Sequence, residues 1–233
     1  PLRLVGSEMC IRDSMKPVVD VYFSFRSPYS YLATPDLIKL RASFEIEVKL
    51  RPVLPIAIRA KHLVFDDQQG KQKAGYIILD SFRRAEYLHM NIAWPTPDPV
   101  VQNLETFEVA KEQPYIYRLC ALAIEAERRG KGIDFAYEVS HLIFSGTESW
   151  HEGDLLTKAI GRAGLDINEL ESAIHQQGGE QAYLAEIQEN QNNLEKNGHW
   201  GVPTMVFNAE PFFGQDRIDD LCWRLDQQNV AAR

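Results

Sequence analysis

The sequence predicts an α/β fold in which a small sheet is interrupted by a long, all-helical insertion. Two segments near the ends support the sheet: residues 18–50 have the pattern strand, helix, strand, and residues 204–225 have the pattern hairpin, helix. Between them, residues 53–198 carry mostly helical patterns. Hydrophobic residues make up 45% of the 233 residues and charged residues 25%, values at which a chain of this length can bury a large core.

The first strand and the helix after it meet at a serine. Residues 18–23 are β-branched and aromatic, which predicts a strand buried on both faces. Apolar residues at helical spacing follow Ser27 and Pro28, so Ser27 is predicted as the N-cap and Pro28 as the first helical residue. Pro35 is expected to kink or split this helix. A helix N-terminus stabilises an anion such as a thiolate or phosphate; the alternative is that Ser27 only caps its helix.

The second strand is predicted from alternation of apolar and polar residues at 44–50. The order strand, helix, strand favours a parallel pair joined by a right-handed crossover. Residues 51–72 then leave this unit and include the polar run 66–70, which predicts a loop.

The insertion is predicted to be helical except at residues 94–99, where three prolines require a rigid loop. Asp154 is expected to cap one helix, and Asp166 with Glu169 to form a capping box at the next. The other predicted helices span residues 73–90, 114–129, 133–144 and 180–197.

The C-terminal part completes a known layout. A hairpin at 204–207 and 211–213 leads into a last helix that is predicted to open at residues 214–216. A β-α-β unit completed by β-β-α is the layout of thioredoxin. In that layout a cis-proline faces the N-terminus of the first helix, and Pro203 occupies its place. Val202, just before it, can present its backbone to an extended peptide.

The domain boundaries follow from this layout. Residues 15–52 plus 199–233 are predicted to form the thioredoxin-like domain, and residues 53–198 the helical insertion domain. Residues 1–14 show no periodicity, so they are expected to be a non-native or disordered extension, with Met15 as the true start.

Composition excludes several classes of function. A net charge of −8 argues against a nucleic-acid partner and leaves no polybasic patch for a membrane, and no apolar run is long enough to span one. Cys10, Cys120 and Cys222 have neither metal-like nor disulfide-like spacing, which favours incidental thiols in a reducing cytoplasm.

Three stretches together resemble the 2-hydroxychromene-2-carboxylate isomerase family, a branch of the DsbA-like superfamily close to the kappa-class glutathione transferases. The stretches are residues 25–33, 198–204 and 212–217, and the similarity extends over residues 16–228. The resemblance implies a cytoplasmic, homodimeric, glutathione-dependent isomerase of aromatic compound degradation. It also implies a role for certain residues: Ser27 as the catalytic group on the glutathione sulfur, and as glutathione-binding residues Val202, Pro203, Gln215, Asp216 and Asn190.

The family's substrate is an aromatic carboxylate, so cations and aromatic side chains are expected to face it. The predicted substrate-binding residues are Lys73, Tyr76, Arg83, Arg84, Trp94 and Trp200, with Arg59 and Lys61 as further candidate cations. The alternative for each cation is a solvated surface charge, and for each tryptophan a place in the core. His62 and His199 are expected to be structural.

Other functions remain open from the sequence. One is a kappa-like glutathione transferase or peroxidase, although the Gly-Asn pair of that class is missing between residues 51 and 70. Another is a non-catalytic, glutathione-binding homodimer. A DsbA-like thiol–disulfide oxidoreductase is a third alternative, but the sequence argues strongly against it, because residues 27–30 read Ser-Pro-Tyr-Ser where the redox proteins carry Cys-x-x-Cys.

Overall fold

Four strands form one mixed sheet in the computed structural model, which describes residues 16–61, 68–103 and 106–233. The strand order is β2-β1-β3-β4. β1 runs parallel to β2 and antiparallel to β3, and β3 and β4 form the hairpin, which confirms the predicted thioredoxin-like arrangement. The strands span Val18–Phe23 (β1), Glu47–Pro52 (β2), Thr204–Phe207 (β3) and Glu210–Phe213 (β4).

β2 is shifted towards the C-terminus relative to the predicted 44–50. Phe44 instead ends the preceding helix and forms an isolated bridge with Ala232, and the Glu45 N–H donates to the Ala231 carbonyl at 2.8 Å. The strand can continue to Pro52 because β2 lies at the edge of the sheet, where a missing N–H costs no ladder bond.

Helix α1, Pro28–Ser43, begins as predicted and runs unbroken past Pro35. The prediction that Pro35 could split it is therefore wrong. Pro35 has no N–H for the Tyr31 carbonyl, but the Thr34 hydroxyl donates to that carbonyl at 2.8 Å. This side-chain bond replaces the one that the proline removes.

The remaining helices differ from the predicted pattern at several places. A four-residue helix, Ile56–Arg59, lies in the 51–72 segment, where no helix was predicted. The helix predicted at 73–90 spans Gln68–Tyr87, so the prediction of a loop is wrong for residues 68–70, where glutamine is a good helix former. The segment predicted as one helix at 180–197 is a 3₁₀ helix, Glu180–Tyr183, followed by an α-helix. Asp166 caps its helix as expected, whereas Asp154 makes no side-chain cap bond and pairs with Lys158 at 2.9 Å. The α-helices after α1 span Ile56–Arg59 (α2), Gln68–Tyr87 (α3), Ile116–Arg128 (α4), Gly132–Phe144 (α5), Leu155–Arg162 (α6), Ile167–Gln176 (α7), Leu184–Lys196 (α8) and Ile218–Gln227 (α9).

One apolar cluster joins the sheet to the helices of the insertion. Phe25 packs edge-on against Phe135 of α5, with ring centroids 5.7 Å apart, and Tyr31 stacks on Phe144 at 5.4 Å. Aromatic pairs of this kind add to the stabilisation from area burial. The start of α1 is thereby fixed against the insertion.

One backbone N–H on the outer edge of β2 is paired with a carboxylate. The Leu50 N–H donates to Glu127 Oε2 of α4 at 2.9 Å, and burial raises the pKa of Glu127. A Cβ atom at Gly132 would lie 2.2 Å from the same Oε2 atom and 2.8 Å from the Leu50 Cβ atom, so a side chain there would force its neighbours to shift. An unpaired edge invites pairing with another chain, and this contact removes one free donor.

Within the described residues, no helix is long and apolar enough to cross a membrane. The same residues contain no group of His, Cys, Asp or Glu side chains suited to a metal ion. The predictions for residues 1–14, Cys10 and His62 fall outside the part that the structure describes.

Candidate functional site

Ser27 lies in the turn between β1 and α1 and is the N-cap of the helix. Its Oγ accepts a hydrogen bond from the Ser30 N–H at 3.2 Å and donates one to the Val202 carbonyl at 3.3 Å. The first bond is the cap that the sequence predicts. The second joins the helix N-terminus to a loop 175 residues further along the chain.

That loop contains a cis peptide bond between Val202 and Pro203, as predicted. The Pro203 carbonyl accepts from the Gly214 N–H at 2.9 Å, which fixes the loop to the end of the hairpin. Val202 lies outside the strands, and in the described part of the chain its N–H makes no hydrogen bond. Next to Ser27 there is therefore a free backbone donor and a carbonyl held only by a hydroxyl group.

The chain before the cis-proline is held by His199. Its Nδ1 accepts from the Gly201 N–H at 2.8 Å, and its ring stacks on Phe213 with centroids 3.8 Å apart. A Cβ atom at Gly201 would lie 2.4 Å from the Phe213 ring, so the loop can approach this closely only with glycine. Burial lowers the pKa of His199, as does the charge of Arg59. A neutral His199 with a bare Nδ1 is what the Gly201 bond requires, consistent with the structural role predicted for it.

Arg59 of α2 links that helix to the loop before Pro203. Its guanidinium donates hydrogen bonds to two backbone carbonyls. One is Leu54, at 2.8 Å, and the other is Trp200, two residues before Val202. Burial lowers the pKa of Arg59 to about 10. Its Nη1 is buried without a hydrogen-bond partner in the described structure. Arg59 therefore acts as a brace for the loop.

Gln215 and Asp216 lie beside the same loop, but not inside the last helix. The helix begins at Ile218 with Arg217 as its N-cap, so the prediction that residues 214–216 open it is wrong. The reason is a turn: the Arg217 N–H donates to the Gly214 carbonyl at 3.2 Å, and Gly214 has φ +112°. Gln215 is only 9% exposed, whereas the Asp216 side chain is 52% exposed.

Helix α3 contacts the corner formed by the start of α1 and the Gly214–Arg217 turn through Arg84 and Asp80. Arg84 Nε donates to Gln215 Oε1 at 3.0 Å. Asp80 accepts from the Tyr29 hydroxyl at 2.6 Å, and burial and this bond both raise the pKa of Tyr29. α3 thus contacts both halves of the corner, the start of α1 and the segment before α9.

A buried ion pair next to Ser27 was not predicted. Arg26 contacts Asp98 with Nε at 2.8 Å from Oδ1 and Nη2 at 2.8 Å from Oδ2, and the two side chains are only 10% and 19% exposed. Asp98 also accepts from Trp94 Nε1 at 3.3 Å and from the Val100 N–H at 2.8 Å. The serine turn is therefore tied to the proline-rich 94–99 loop. A signal existed in the sequence: a lone cation between Phe25 and Ser27, directly after a buried strand.

The other predicted residues are placed more loosely. Lys73 is exposed, and Tyr76 is 57% exposed, with its hydroxyl 3.4 Å from Asp80. The Arg83 side chain is 60% exposed and lies 3.3 Å from Asp80, so it behaves as a surface charge. Asn190 is buried, and its amide donates to the Pro52 carbonyl at 3.0 Å, which ties α8 to β2.

The two tryptophans differ in their surroundings. Trp94 is half-buried and lies under the Arg26 guanidinium, 6.0 Å from the ring centroid. Trp200 is 39% exposed and stacks on His199, with ring centroids 5.6 Å apart. Lys61 is exposed. The substrate-binding roles of these residues stay predictions.

Together these groups can hold a short peptide with an anionic sulfur. The peptide would pair with the free backbone of Val202, and the sulfur would meet the Ser27 hydroxyl at the N-terminus of α1. A hydroxyl donor and a helix N-terminus both favour a thiolate over a thiol. Neither of the described cysteines, Cys120 and Cys222, lies in this turn, so a thiolate held there would belong to a ligand.

Comparison with known proteins agrees with this architecture. The family model described as "DSBA-like thioredoxin domain" matches residues 18–226. No curated protein matches the sequence.

Among solved structures, that of 2-hydroxychromene-2-carboxylate isomerase has a TM-score of 0.62 and 22% identity, covering 91% of this chain and 97% of that one. A probable DsbA oxidoreductase from Streptomyces coelicolor has a TM-score of 0.59 and 18% identity, over 91% and 89% of the two chains. The cytosolic disulfide reductase DsbM from Pseudomonas aeruginosa with GSH has a TM-score of 0.55 and 14% identity, over 91% and 98%. At these identities the likeness establishes the fold.

Proposed function

This chain belongs to the DSBA-like thioredoxin domain family, and from that premise we propose that it is a cytoplasmic, glutathione-dependent cis–trans isomerase of 2-hydroxychromene-2-carboxylate or a related aromatic carboxylate. The observation that carries the proposal is the Ser27 hydroxyl, 3.3 Å from the Val202 carbonyl at the N-terminus of α1. Serine in this position supports thiolate chemistry without a redox-active cysteine of the protein.

The backbone of Val202 fits the cysteine residue of glutathione. Its free N–H can donate to that residue's carbonyl, and its carbonyl can accept that residue's N–H. When the carbonyl takes the ligand's N–H, its bond to the Ser27 hydroxyl can be exchanged for one from that hydroxyl to the sulfur. Peptide binding and sulfur recognition are then coupled through one hydrogen bond.

The γ-glutamyl end has charged and polar groups available at Gln215 and Asp216. Asp216 is exposed enough to pair with the α-amino group, and Gln215 is held in place by Arg84. Pro203 keeps the loop in the shape that presents Val202. The solved structure of the disulfide reductase DsbM with GSH, which has a similar fold, supports glutathione as the peptide.

Glutathione, when bound, supplies a thiolate that adds reversibly to a conjugated double bond, which lets that bond rotate before the thiol leaves again. The protein's part is to stabilise the negative sulfur. A free thiol has a pKa of about 8.5 and is mostly protonated at neutral pH. The Ser27 hydroxyl and the positive end of α1 lower that value and hold the sulfur in one place.

The carboxylate of the substrate needs a cation, and Arg84 is the best placed of the predicted ones. It is half-buried and lies against Gln215, whereas Lys73 and Arg83 are exposed. A half-buried guanidinium loses less of its attraction to solvent screening than an exposed one. Tyr76, Trp94 and Trp200 stay as proposed aromatic contacts.

Disulfide chemistry does not fit the chain. Ser27 and Ser30 replace both redox cysteines, and Cys120 is buried, with its pKa raised to about 12 by that burial. Burial also raises the pKa of Cys222, so neither described thiol is activated. The proposal therefore separates this chain from the oxidoreductases that share its fold.

The test has two steps. Calorimetric titration with reduced glutathione should show binding, and an isomerase assay should then show turnover with glutathione in less than stoichiometric amount. We expect Ser27→Ala to lower kcat about 100-fold or more, as loss of one oxyanion donor does, and to weaken glutathione binding much less.

The matched control is Ser43→Ala at the other end of α1, where the hydroxyl is exposed and donates to the Lys39 carbonyl at 2.9 Å. It should keep wild-type kinetics. A Ser27→Ala rate within twofold of wild type would reduce Ser27 to a helix cap. Glutathione consumed with chlorodinitrobenzene, without isomerisation, would make the chain a transferase, and binding without either activity would make it a glutathione-binding protein.

A further inference from the structure

Arg59 is a cation without a carboxylate partner in the described structure. Apart from Arg84, every other arginine in the described part of the chain forms an ion pair with a carboxylate. Arg59 is half-buried, and its guanidinium bonds the backbone carbonyls of Leu54 and Trp200. Buried charges are normally paired, because removing a charge from water costs a large free energy. A half-buried guanidinium that is paired only with neutral carbonyls is suited to bind an anion.

One nitrogen of this guanidinium is left over. Nε bonds Leu54 and Nη2 bonds Trp200, whereas Nη1 is buried and makes no hydrogen bond in the described structure. The bond from Nη2 is exposed to solvent. Nη1 and Nη2 together form one side of the guanidinium fork, which matches the two oxygens of a carboxylate. A carboxylate that approaches from the exposed Nη2 side can therefore bond both nitrogens.

The backbone pairing with Val202 fixes which end of a bound peptide comes to this side chain. A residue that exchanges both of its backbone hydrogen bonds with Val202 runs antiparallel to the loop. The γ-glutamyl group of glutathione, which precedes the cysteine, then lies on the Pro203 side, and the Pro203 carbonyl bonds the residue before Gln215. The glycine, which follows the cysteine, lies on the opposite side, towards the Trp200 carbonyl that Arg59 bonds. This direction brings the free carboxylate of the peptide to the unpaired guanidinium.

We propose that Arg59 binds the C-terminal carboxylate of the thiol peptide and so selects a cysteine followed by one residue with a free carboxyl group. The inference rests on the proposed glutathione function and adds a specificity-determining residue to it. An extended chain advances about 3.3 Å per residue, so the carboxylate one residue beyond the cysteine falls beside the loop just before Val202. A peptide that is longer, or whose carboxyl group is blocked, presents no charge at that distance.

The charge that this role needs is present at neutral pH. Burial lowers the pKa of Arg59 to about 10, and the charge of Glu195 acts in the opposite direction, so the guanidinium stays protonated at pH 7. Lys61, two residues further along the chain, is exposed, and its attraction to an anion is screened more strongly by salt. Arg59 also holds the Trp200 carbonyl, so the same side chain would join the end of the ligand to the loop that presents Val202.

Two thiols that differ only at the glycine carboxyl group test the proposal on the unaltered chain. In calorimetric titrations, reduced glutathione should bind about tenfold or more tightly than its glycine monoethyl ester, because the ester cannot form the charge-assisted pair. Equal affinities would overturn this inference and leave the proposed function standing. No binding of glutathione at all would overturn both.

Substitutions identify the cation that is responsible. Arg59→Gln keeps an N–H donor for the loop but removes the charge, so the ratio of the two affinities should fall below about twofold. Lys61→Met is the matched control, a neighbouring cation in an exposed place, and should keep the wild-type ratio. The ratio is independent of any general weakening of the loop, since both thiols use the same backbone pairing. A ratio that survives Arg59→Gln, or that is lost in Lys61→Met, would overturn the assignment.

Discussion

Removing the Asp98 carboxylate should cost more stability than almost any other single change near the site. Asp98 is the acceptor for two nitrogens of Arg26, for Trp94 Nε1 and for the Val100 N–H. In Asp98→Ala all of these donors lose their partner, and Arg26, 10% exposed, becomes a nearly buried charge without compensation. Breaking a buried pair in this way costs about 3–5 kcal/mol, and the remaining exposure of the two side chains places the expectation near the lower end, about 3 kcal/mol.

The measurement is guanidinium unfolding followed by circular dichroism and tryptophan fluorescence. For a chain of this size, about 3 kcal/mol corresponds to a melting temperature lower by about 6–12 °C. The double variant Arg26→Met with Asp98→Ala should lose less than the sum of the two single variants, because it leaves no unpaired charge. Since Arg26 precedes Ser27, Asp98→Ala should also weaken glutathione binding.

Asp154→Ala provides the matched control. Its partner Lys158 is equally close, at 2.9 Å, but the two side chains are 64% and 65% exposed, so the loss should stay within about 0.5 kcal/mol. If Asp98→Ala loses less than about 1 kcal/mol, or if the two pairs cost the same, burial does not decide the strength of these ion pairs and the reasoning is refuted.

Three further outcomes are expected. Arg84→Met should raise the KM for the carboxylate substrate about tenfold in steady-state kinetics, equivalent to about 1.4 kcal/mol, while Arg83→Met should change it less than twofold. Equal effects of the two substitutions would contradict the role of Arg84. Burial depresses the pKa of His199 below its usual value of 6.5, so the stability of its loop should be present above pH 6.5 and be lost as the pH falls through the folded value. Glutathione titrations from pH 7.5 to 5 should therefore weaken more steeply in wild type than in His199→Gln, and parallel profiles would count against this role. Gly132→Ala should destabilise the fold by about 1–3 kcal/mol, measured by thermal melts, because the new methyl group would lie 2.2 Å from Glu127 Oε2. An unchanged melting temperature would show that the carboxylate moves aside freely.

The sequence by itself determined the local features. The first strand, the Ser27 cap, Pro28 at the start of α1 and the place of Pro203 were all predicted and are all observed. The strand and the start of α1 depend on neighbours in the chain: a run of β-branched and aromatic residues, the missing N–H of proline, and a hydroxyl reaching an amide three residues away. The place of Pro203 followed from the order of the predicted elements. The coarse fold class followed because the order of these elements allows few topologies.

Boundaries were less accurate where a distant contact competes with a local preference. β2 starts late because Phe44 and Glu45 contact the C-terminal segment, and α9 starts late because a turn at Gly214 precedes it. α1 continues past Pro35 because a neighbouring hydroxyl satisfies the carbonyl that proline leaves free. In each case the chemistry is ordinary, but the deciding partner could not be read from the pattern of the segment.

Only the tertiary structure decided which side chains meet. Arg26 and Asp98 are 72 residues apart, and Arg84 and Gln215 are 131 apart, so no spacing rule joins them. The apolar residues of α3 likewise predict an amphipathic helix, yet only the packed fold shows which face α1 covers and which stays open. The periodicity of a segment shows which kind of helix or strand it forms. Which helices and strands contact each other depends on how the whole chain packs around its core, and this packing decides which charged side chains meet in the site.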